Sequence, residues 1–84
     1  MAVVPTIGGL LGERVRELRK KRGLTQVEFA ALCGVPQSRI STIENGSRVP
    51  NVETVIRLAH ALDCKVTTLM SVFDKGDLSA LMQK

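Results

Sequence analysis

The stretch TQVEFAALCGVPQSRISTIENG, residues 25–46, decides the fold of this 84-residue chain. It holds two short amphipathic segments, and residues that start or end helices bound each of them. Thr25 and Glu28 have the spacing of a capping box, and Gly34 ends the first segment. Pro36 suits the first position of the second helix, because its missing N–H would have no partner there. The stretch therefore predicts two short helices joined by a tight turn.

This pair of segments has the spacing of a helix-turn-helix, in which a short turn containing glycine joins two helices. Ala30 is small enough for a close crossing, Gly34 allows a positive φ, and Ile40 is an aliphatic anchor for the second helix. The residues that we expect to face the core are Val27, Ala30, Ile40 and Ile43, with either Phe29 or Cys33.

The outward face of the second helix is polar and nearly free of acidic residues. It carries Gln37, Ser38, Arg39, Ser41 and Thr42, and the first acidic residue after them is Glu44. Short polar groups and one arginine allow a helix to approach base edges without repelling phosphates. An ordinary solvated face would have a similar composition, so this face alone leaves both interpretations open.

The sequence on both sides of this unit has the period of amphipathic helices. Leu11, Val15 and Leu18 predict a helix from about residue 10 to 22, which Gly23 ends. The apolar positions of a fourth helix, capped by Asn51, are Val52, Val55, Ile56, Ala59 and Leu62. Those of a fifth helix are Val66, Leu69, Met70 and Phe73, and a last short helix capped by Asp77 carries Leu78, Leu81 and Met82. The fold class predicted is all-α, with five helices and a short C-terminal extension.

A length of 84 residues allows one domain. We expect a flexible N-terminal arm over residues 1–9, a helix-turn-helix domain over 10–74 and a C-terminal tail over 75–84. The end of the chain has more apolar residues than so small a monomer needs, which favours a dimer interface. The interface residues predicted are Met70, Phe73, Leu78, Leu81 and Met82. The alternative is that the tail folds back onto its own core.

Charge and composition favour a polyanionic partner, and the chain has few residues from which a catalytic site could be built. The formal net charge is +4, and residues 13–22 contain six basic and two acidic residues. A solvated helix face would also explain that segment. Cys33 and Cys64 are isolated, and His60, the only histidine, is expected to be a surface residue. We therefore expect no metal site, no cofactor and no enzymatic activity.

The chain shows no secretory signal and no apolar run of 18 residues. From these absences and the two isolated cysteines we expect a cytoplasmic, nucleoid-associated protein with no membrane partner.

Several motifs together resemble the lambda repressor/Cro family, also called the xenobiotic-response-element family. The matching stretches are GLTQ at 23–26, FA at 29–30, GVPQSRIS at 34–41, IENGSR at 43–48 and Pro50. The resemblance runs from about residue 11 to 73 and implies a bacterial or phage five-helix domain that binds an operator as a dimer. Two positions depart from the family pattern: Pro36 replaces a common Ser or Thr cap, and Lys65 stands where a capping Ser is usual.

The resemblance also assigns roles to individual residues. It implies that Gln26 holds a DNA phosphate and touches the next helix. Gln37, Ser38 and Thr42 match the main base-reading positions, and Arg39 and Ser41 match positions that contact bases or phosphates. Asn45 and the loop through Ser47 and Arg48 match backbone-contacting positions. Arg19 and Glu44 match an interior salt bridge, and we expect that role for them instead of DNA contact.

The function predicted is a sequence-specific transcriptional regulator, in the first place a repressor, that binds a palindromic operator on double-stranded DNA as a homodimer. Two alternatives remain open. One is the antitoxin of a toxin–antitoxin module, which would add a toxin partner and would also repress its own operon. The other is the controller protein of a restriction–modification system.

Overall fold

The computed structural model describes residues 6–74, and this part of the chain folds into five α-helices and a terminal 3₁₀ turn, with no strand. The helices are α1 (Ile7–Lys21), α2 (Gln26–Cys33), α3 (Gln37–Glu44), α4 (Val52–Ala61) and α5 (Val66–Met70), and Ser71–Phe73 forms the turn. The all-α, five-helix prediction is confirmed. The helix predicted to begin at Asp77, with Leu78, Leu81 and Met82, lies outside the described residues.

The first helix begins at Ile7 and not near residue 10, so the predicted flexible arm is wrong for residues 7–9. The side chain of Thr6 caps α1 by accepting a hydrogen bond of 2.9 Å from the Gly9 backbone N–H. Gly12 faces the end of α3 so closely that an added Cβ would meet the carbonyl oxygens of Ile43 and Glu44. The glycines of this segment thus serve helix packing and do not break the helix. Residues 1–5 of the predicted arm lie outside the described part.

The core is aliphatic except for one aromatic side chain, Phe29, which is fully buried. The buried apolar residues come from all five helices and from the C-cap of α4: Leu11, Val15, Phe29, Ala30, Cys33, Ile40, Ile43, Val55, Leu58, Ala59, Leu62 and Leu69. In this core α2 packs on both α3 and α4, and α1 packs on α3. The unit of α2 and α3 is therefore held from both sides.

Three residues that were predicted to face the core are exposed instead. Val27 is 66% exposed, because Phe29, Ala30 and Cys33 occupy the buried face of the short helix α2. On α4, Val52 is 76% exposed and Ile56 is 53% exposed. The buried side of α4 consists of Thr54, Val55, Leu58 and Ala59. The helix is thus rotated away from the orientation that the apolar stripe predicted.

The ends of α2 and α3 fix the angle between the two helices. The capping box is present, with hydrogen bonds of 3.1 Å from the Glu28 backbone N–H to Thr25 and 2.9 Å in return. Gly34 then turns the chain at a φ of 72°. Pro36 precedes α3 as its N-cap, with a ψ of 147°, and is not the first helical residue. Neither it nor Lys65, which precedes α5, makes a side-chain cap.

Candidate nucleic-acid interface

Helix α3 buries one side and presents the other to solvent. Ile40 and Ile43 are at most 1% exposed and anchor the helix in the core. The predicted DNA-facing residues lie on the opposite side, where Gln37, Ser38 and Arg39 are exposed and Ser41 and Thr42 are half-buried. Asn45 and Arg48 are exposed just beyond the end of the helix. The predicted residues of α3 and of the turn after it are thus all at least partly accessible to solvent.

A buried ion pair ties α3 to α1, as the sequence analysis predicted. Arg19 Nε donates to Glu44 Oε2 at 2.6 Å, and Arg19 Nη2 donates to Glu44 Oε1 at 3.1 Å. Only 9% and 4% of the two side chains are exposed. The remaining guanidinium nitrogen, Nη1, donates to the carbonyl of Leu24 at 2.7 Å. The pair therefore fixes the end of α1, the loop after it and the end of α3 relative to one another.

Two glutamines extend this ion pair to the surface of α3. Gln26 Nε2 donates to Glu44 Oε1 at 3.1 Å, and Gln37 Nε2 donates to Gln26 Oε1 at 2.8 Å. We call the series Arg19–Glu44–Gln26–Gln37 the polar relay. Its outer member, Gln37, is the first residue of α3 and is exposed. The N-terminal residues of such a helix are those that contact base edges in helix-turn-helix proteins.

Two shallow clefts lie along α3, and between them they contain all the predicted DNA-contacting residues except Gln37. The first, which we call the Arg16 cleft, has a volume of about 220 Å³. Its lining consists of Arg16, Arg19, Gln26, Ser41, Glu44 and Asn45. The second, the Arg39 cleft, has a volume of about 180 Å³ and is lined by Pro36, Ser38, Arg39, Thr42 and Arg48. Each cleft thus pairs a cationic side chain with short polar groups, the composition that suits phosphate and base edges.

Arg16 was not among the residues predicted for the site. Within the basic segment 13–22, Arg14 pairs with Glu17 at 3.1 Å, and Arg22 pairs with Asp63 at 3.4 Å. Arg16 is exposed and has no ion pair within residues 6–74. The high charge of the segment was a signal, but only the packing of α1 shows which cation reaches the cleft beside α3.

The side-chain oxygen of Asn45 accepts hydrogen bonds within the turn after α3. Its Oδ1 accepts from the backbone N–H of Ser47 at 2.9 Å and from the Ser47 hydroxyl at 2.7 Å. Among residues 6–74 the Nδ2 group has no hydrogen-bond acceptor, and it is a donor at the Arg16 cleft. This arrangement fits the backbone-contacting role that the family resemblance implied, which remains a prediction.

The described residues contain no group of three or more His, Cys, Asp or Glu side chains that could hold a metal ion. Burial raises the pKa of the Cys33 thiol to about 11, an effect that the nearby Arg57 partly offsets. Burial also raises the pKa of Cys64. A raised pKa lowers the thiolate fraction and with it the reactivity of a cysteine. Within residues 6–74 no helix has the length and apolarity to cross a bilayer.

Comparison with known proteins places this geometry in a family. The sequence profile of a family described as helix-turn-helix matches residues 15–69. The chain belongs to this helix-turn-helix family. It is a DNA-binding protein of the lambda repressor/Cro type. Relatives of this chain include proteins named as transcriptional regulators and repressors, and one named as a putative antitoxin.

Two relatives illustrate how far the similarity of this helix-turn-helix protein extends. An uncharacterised transcriptional regulator, y4dJ of Sinorhizobium fredii, is 38% identical over 66 residues, which cover 79% of this chain and 86% of that protein. Repressor protein C2 of Salmonella phage P22 is 39% identical over 70 residues, and these cover 83% of this chain but 31% of the repressor.

Solved structures support the same assignment. A crystal structure of the P22 c2 repressor with a synthetic operator has a TM-score of 0.66 at 36% identity, covering 70% of this chain and 89% of that one. The restriction–modification controller protein C.AhdI of Aeromonas hydrophila has a TM-score of 0.72 at 35% identity. That similarity covers 74% of this chain and 94% of the controller.

Proposed function

We propose that this chain is a sequence-specific transcriptional regulator, acting as a repressor, that binds a palindromic operator as a homodimer. The observation that carries the proposal is the polar surface of α3, which is anchored by two buried isoleucines and flanked by a cleft on each side. α3 enters the major groove, and the two copies of α3 in a dimer read half-sites about 34 Å apart. Binding at the operator then blocks polymerase.

We divide the proposed DNA contacts into those that read bases and those that bind phosphates. Arg39 and Gln37 supply most of the base specificity, because arginine and glutamine side chains can make bidentate contacts with purine edges. Ser38 and Thr42 line the Arg39 cleft and read adjacent bases. The phosphate contacts come from Gln26, Ser41, Asn45 and Arg48. We add Arg16 to them, because it lines the same cleft as Gln26, Ser41 and Asn45. Phosphate contacts of this kind position the protein without reading the sequence.

We propose that the dimer forms through an apolar groove on the face built by α1, α4 and α5. The groove has a volume of about 350 Å³ and includes both described residues of the predicted interface, Met70 and Phe73. The other lining residues are Ile7, Leu11, Val49, Pro50, Val52, Val55, Ile56 and Val66. Val52 and Ile56, exposed by 76% and 53%, project from a helix that a second copy would cover. Leu78, Leu81 and Met82 stay part of the proposal as residues outside the described range.

A charged substitution in the groove tests the dimer. Ile56→Asp places a carboxylate in the proposed interface, so sedimentation equilibrium should show a monomer at concentrations where the wild type is a dimer. Leu32→Asp is the matched control, because Leu32 is 58% exposed on α2 and does not line the groove. Equal dissociation in both variants, or in neither, would refute the groove as interface. Deleting residues 76–84 separately measures the contribution of the tail, because dimerisation that survives the deletion excludes the tail as the interface.

DNA binding is tested by selecting bound sequences from a random pool of duplexes. The proposal predicts enrichment of a palindrome, and half-sites about 10–10.5 base pairs apart, centre to centre, would follow from the two-fold symmetry. Failure to enrich any sequence would refute sequence-specific binding.

The similarity to the controller C.AhdI favours a controller protein as the second candidate. Both candidates require DNA binding, and the position of the selected sequence upstream of restriction and methylation genes would favour the controller. Co-purification with the product of a neighbouring gene would instead favour the antitoxin.

A further inference from the structure

We propose that Asn45 is a modification site, at which spontaneous deamidation through the Gly46 backbone nitrogen replaces the side-chain amide by a carboxylate and weakens DNA binding. The packing of α1 against the turn after α3 controls the rate of this reaction. The effect on DNA rests on the proposed function, whereas the chemistry and its rate do not depend on it.

The reaction joins two neighbouring groups of the chain and consumes only water. The backbone nitrogen of Gly46 gives up its proton and attacks Cγ of Asn45, which closes a five-membered succinimide ring. The Cγ–Nδ2 bond breaks, and Nδ2 leaves as ammonia with that proton. Water then opens either carbonyl of the ring and yields aspartate or isoaspartate. Gly46 has no side chain to hinder the attack, whereas the other asparagine, Asn51, precedes the β-branched Val52.

The folded turn keeps the attacking nitrogen away from the side chain of Asn45. Ring closure requires the bond from the Asn45 carbonyl carbon to the Gly46 nitrogen to lie alongside the Cα–Cβ bond of Asn45. At the observed ψ of −1° that bond eclipses the Cα–N bond instead. A rotation of about 120° about the Cα–C bond of Asn45 must therefore precede the reaction.

Hydrogen bonds and close packing oppose this rotation. The Gly46 N–H donates to the carbonyl oxygen of Ile43 at 3.1 Å, and the Ser47 N–H donates to that of Thr42 at 3.1 Å. On the other side the turn lies against α1, where a Cβ added to Gly8 would be 2.6 Å from the Gly46 carbonyl oxygen. The rotation breaks these contacts, so only molecules in which the turn has opened react, and the rate follows the opened fraction.

The product changes the charge of the surface beside α3. Asn45 lines the Arg16 cleft, where its Nδ2 group is the proposed donor to a DNA phosphate. A carboxylate in this position has no proton to donate and repels the phosphate. The loss of a hydrogen bond to a charged group corresponds to about 10- to 150-fold weaker binding.

The rate is measured on the intact chain by peptide mass spectrometry after incubation at mildly alkaline pH. Asn45 should deamidate at least about 10-fold more slowly in the folded chain than in guanidinium chloride at a concentration that unfolds it. Asn51, measured in the same digests, is the internal reference and should react slowly in both states. Equal rates at Asn45 in the folded and unfolded chain would overturn the proposal.

Two neighbouring glycines test the role of α1. Gly8→Ala should raise the deamidation rate of the folded chain severalfold, because its Cβ displaces the Gly46 carbonyl. Gly9→Ala is the matched control, since the nearest atom to its Cβ is the Thr6 hydroxyl at 3.0 Å and not the turn. Circular dichroism verifies that both variants are folded. Equal rates in the two folded variants would overturn control by α1, and the wild-type comparison decides the matter if Gly8→Ala does not fold.

The effect on DNA is measured with Asn45→Asp and the duplex that the wild-type chain enriches from a random pool. The variant should bind about 10- to 150-fold more weakly than the wild type. Asn51→Asp makes the same chemical change outside both clefts, at a residue whose side chain caps α4, and should bind like the wild type. In an aged wild-type sample, the fraction that an immobilised duplex does not retain should be enriched in chains deamidated at Asn45.

The outcomes separate the two possible failures. If no sequence is enriched, the proposed function fails together with the effect on DNA, and the deamidation rates still decide the chemical part. If a duplex is enriched but Asn45→Asp binds it as tightly as the wild type, or no more weakly than Asn51→Asp, the effect on DNA is overturned while the proposed function stands.

Discussion

The Arg19–Glu44 pair makes a large and specific prediction for stability. Replacement of Glu44 by alanine removes a carboxylate that accepts three hydrogen bonds, two from Arg19 and one from Gln26. It leaves the Arg19 guanidinium, whose side chain is 9% exposed, without a counter-charge. Stranding one member of a buried pair costs about 3–5 kcal/mol of unfolding free energy.

That cost is a large share of the total stability. At roughly 0.05–0.15 kcal/mol per residue, an 84-residue chain has an unfolding free energy of about 4–13 kcal/mol. The Glu44→Ala variant should therefore lose between about a quarter and all of its unfolding free energy at 25 °C. Urea denaturation followed by far-ultraviolet circular dichroism measures the loss, at one protein concentration for all variants because dimerisation contributes to apparent stability.

The chain supplies a matched control in its exposed Arg57–Glu53 pair. The shortest contact is 3.1 Å in that pair, but the two side chains are 49% and 73% exposed. Exposed pairs contribute at most about 1 kcal/mol, so Glu53→Ala should remain close to the wild type. The reasoning would be refuted if Glu44→Ala lost less than 1 kcal/mol, or if the two variants were equally destabilised.

Three further predictions follow from packing, burial and charge. Gly12→Ala should lower the unfolding free energy by about 1–3 kcal/mol in urea denaturation, because its Cβ would lie 2.7 Å from the Glu44 carbonyl oxygen, and backbone cannot move aside cheaply. Cys33 has a pKa of about 11 when folded, against 9.0 for a free thiol. The difference in unfolding free energy between the wild type and Cys33→Ala should therefore be constant below pH 9. Between pH 9 and 11 the wild type should lose stability relative to the variant, because only the unfolded thiol ionises there. A difference that stays constant up to pH 11 would contradict the burial effect. Arg16→Ala should weaken binding to all duplexes alike and reduce the slope of log affinity against log salt by about one, as titrations at several salt concentrations would show; a change of base preference would contradict a phosphate contact.

The helix-turn-helix unit could be predicted from sequence because its signals are local. The Thr25–Glu28 capping box and the positive φ of Gly34 involve residues that are close together in the chain. The rotation of a helix about its axis is not determined locally. Val52 and Ile56 of α4 are exposed because of how the neighbouring helices pack against it, and the local sequence does not contain that information. The start of α1 was missed for a related reason. From sequence alone, the glycines of this segment indicate a helix break. Their role in close packing becomes clear only from the backbone atoms that lie against them.

The candidate site divides in the same way. The polar face of α3 and the Arg19–Glu44 pair were predicted from the composition of the helix and the family resemblance. The contact of Gln26 with the next helix was implied by the same resemblance. The hydrogen bonds from Gln26 to Glu44 and from Gln37 to Gln26, which complete the polar relay, were not predicted, because no sequence pattern contains the distances between side chains of different helices. Arg16 was hidden within a basic segment in which pairing with Glu17 and Asp63 neutralises two neighbours.

The central claim is that the outward face of α3 reads DNA sequence. The most direct measurement compares the sequences that the wild-type chain and Arg39→Ala select from the same random duplex pool. The account predicts that the variant loses preference at one base position in each half-site, at a cost of about 1–3 kcal/mol there, and keeps the other positions. The claim would be contradicted if Arg39→Ala selected the unchanged wild-type sequence with uniformly weaker binding, since Arg39 would then contact only phosphate.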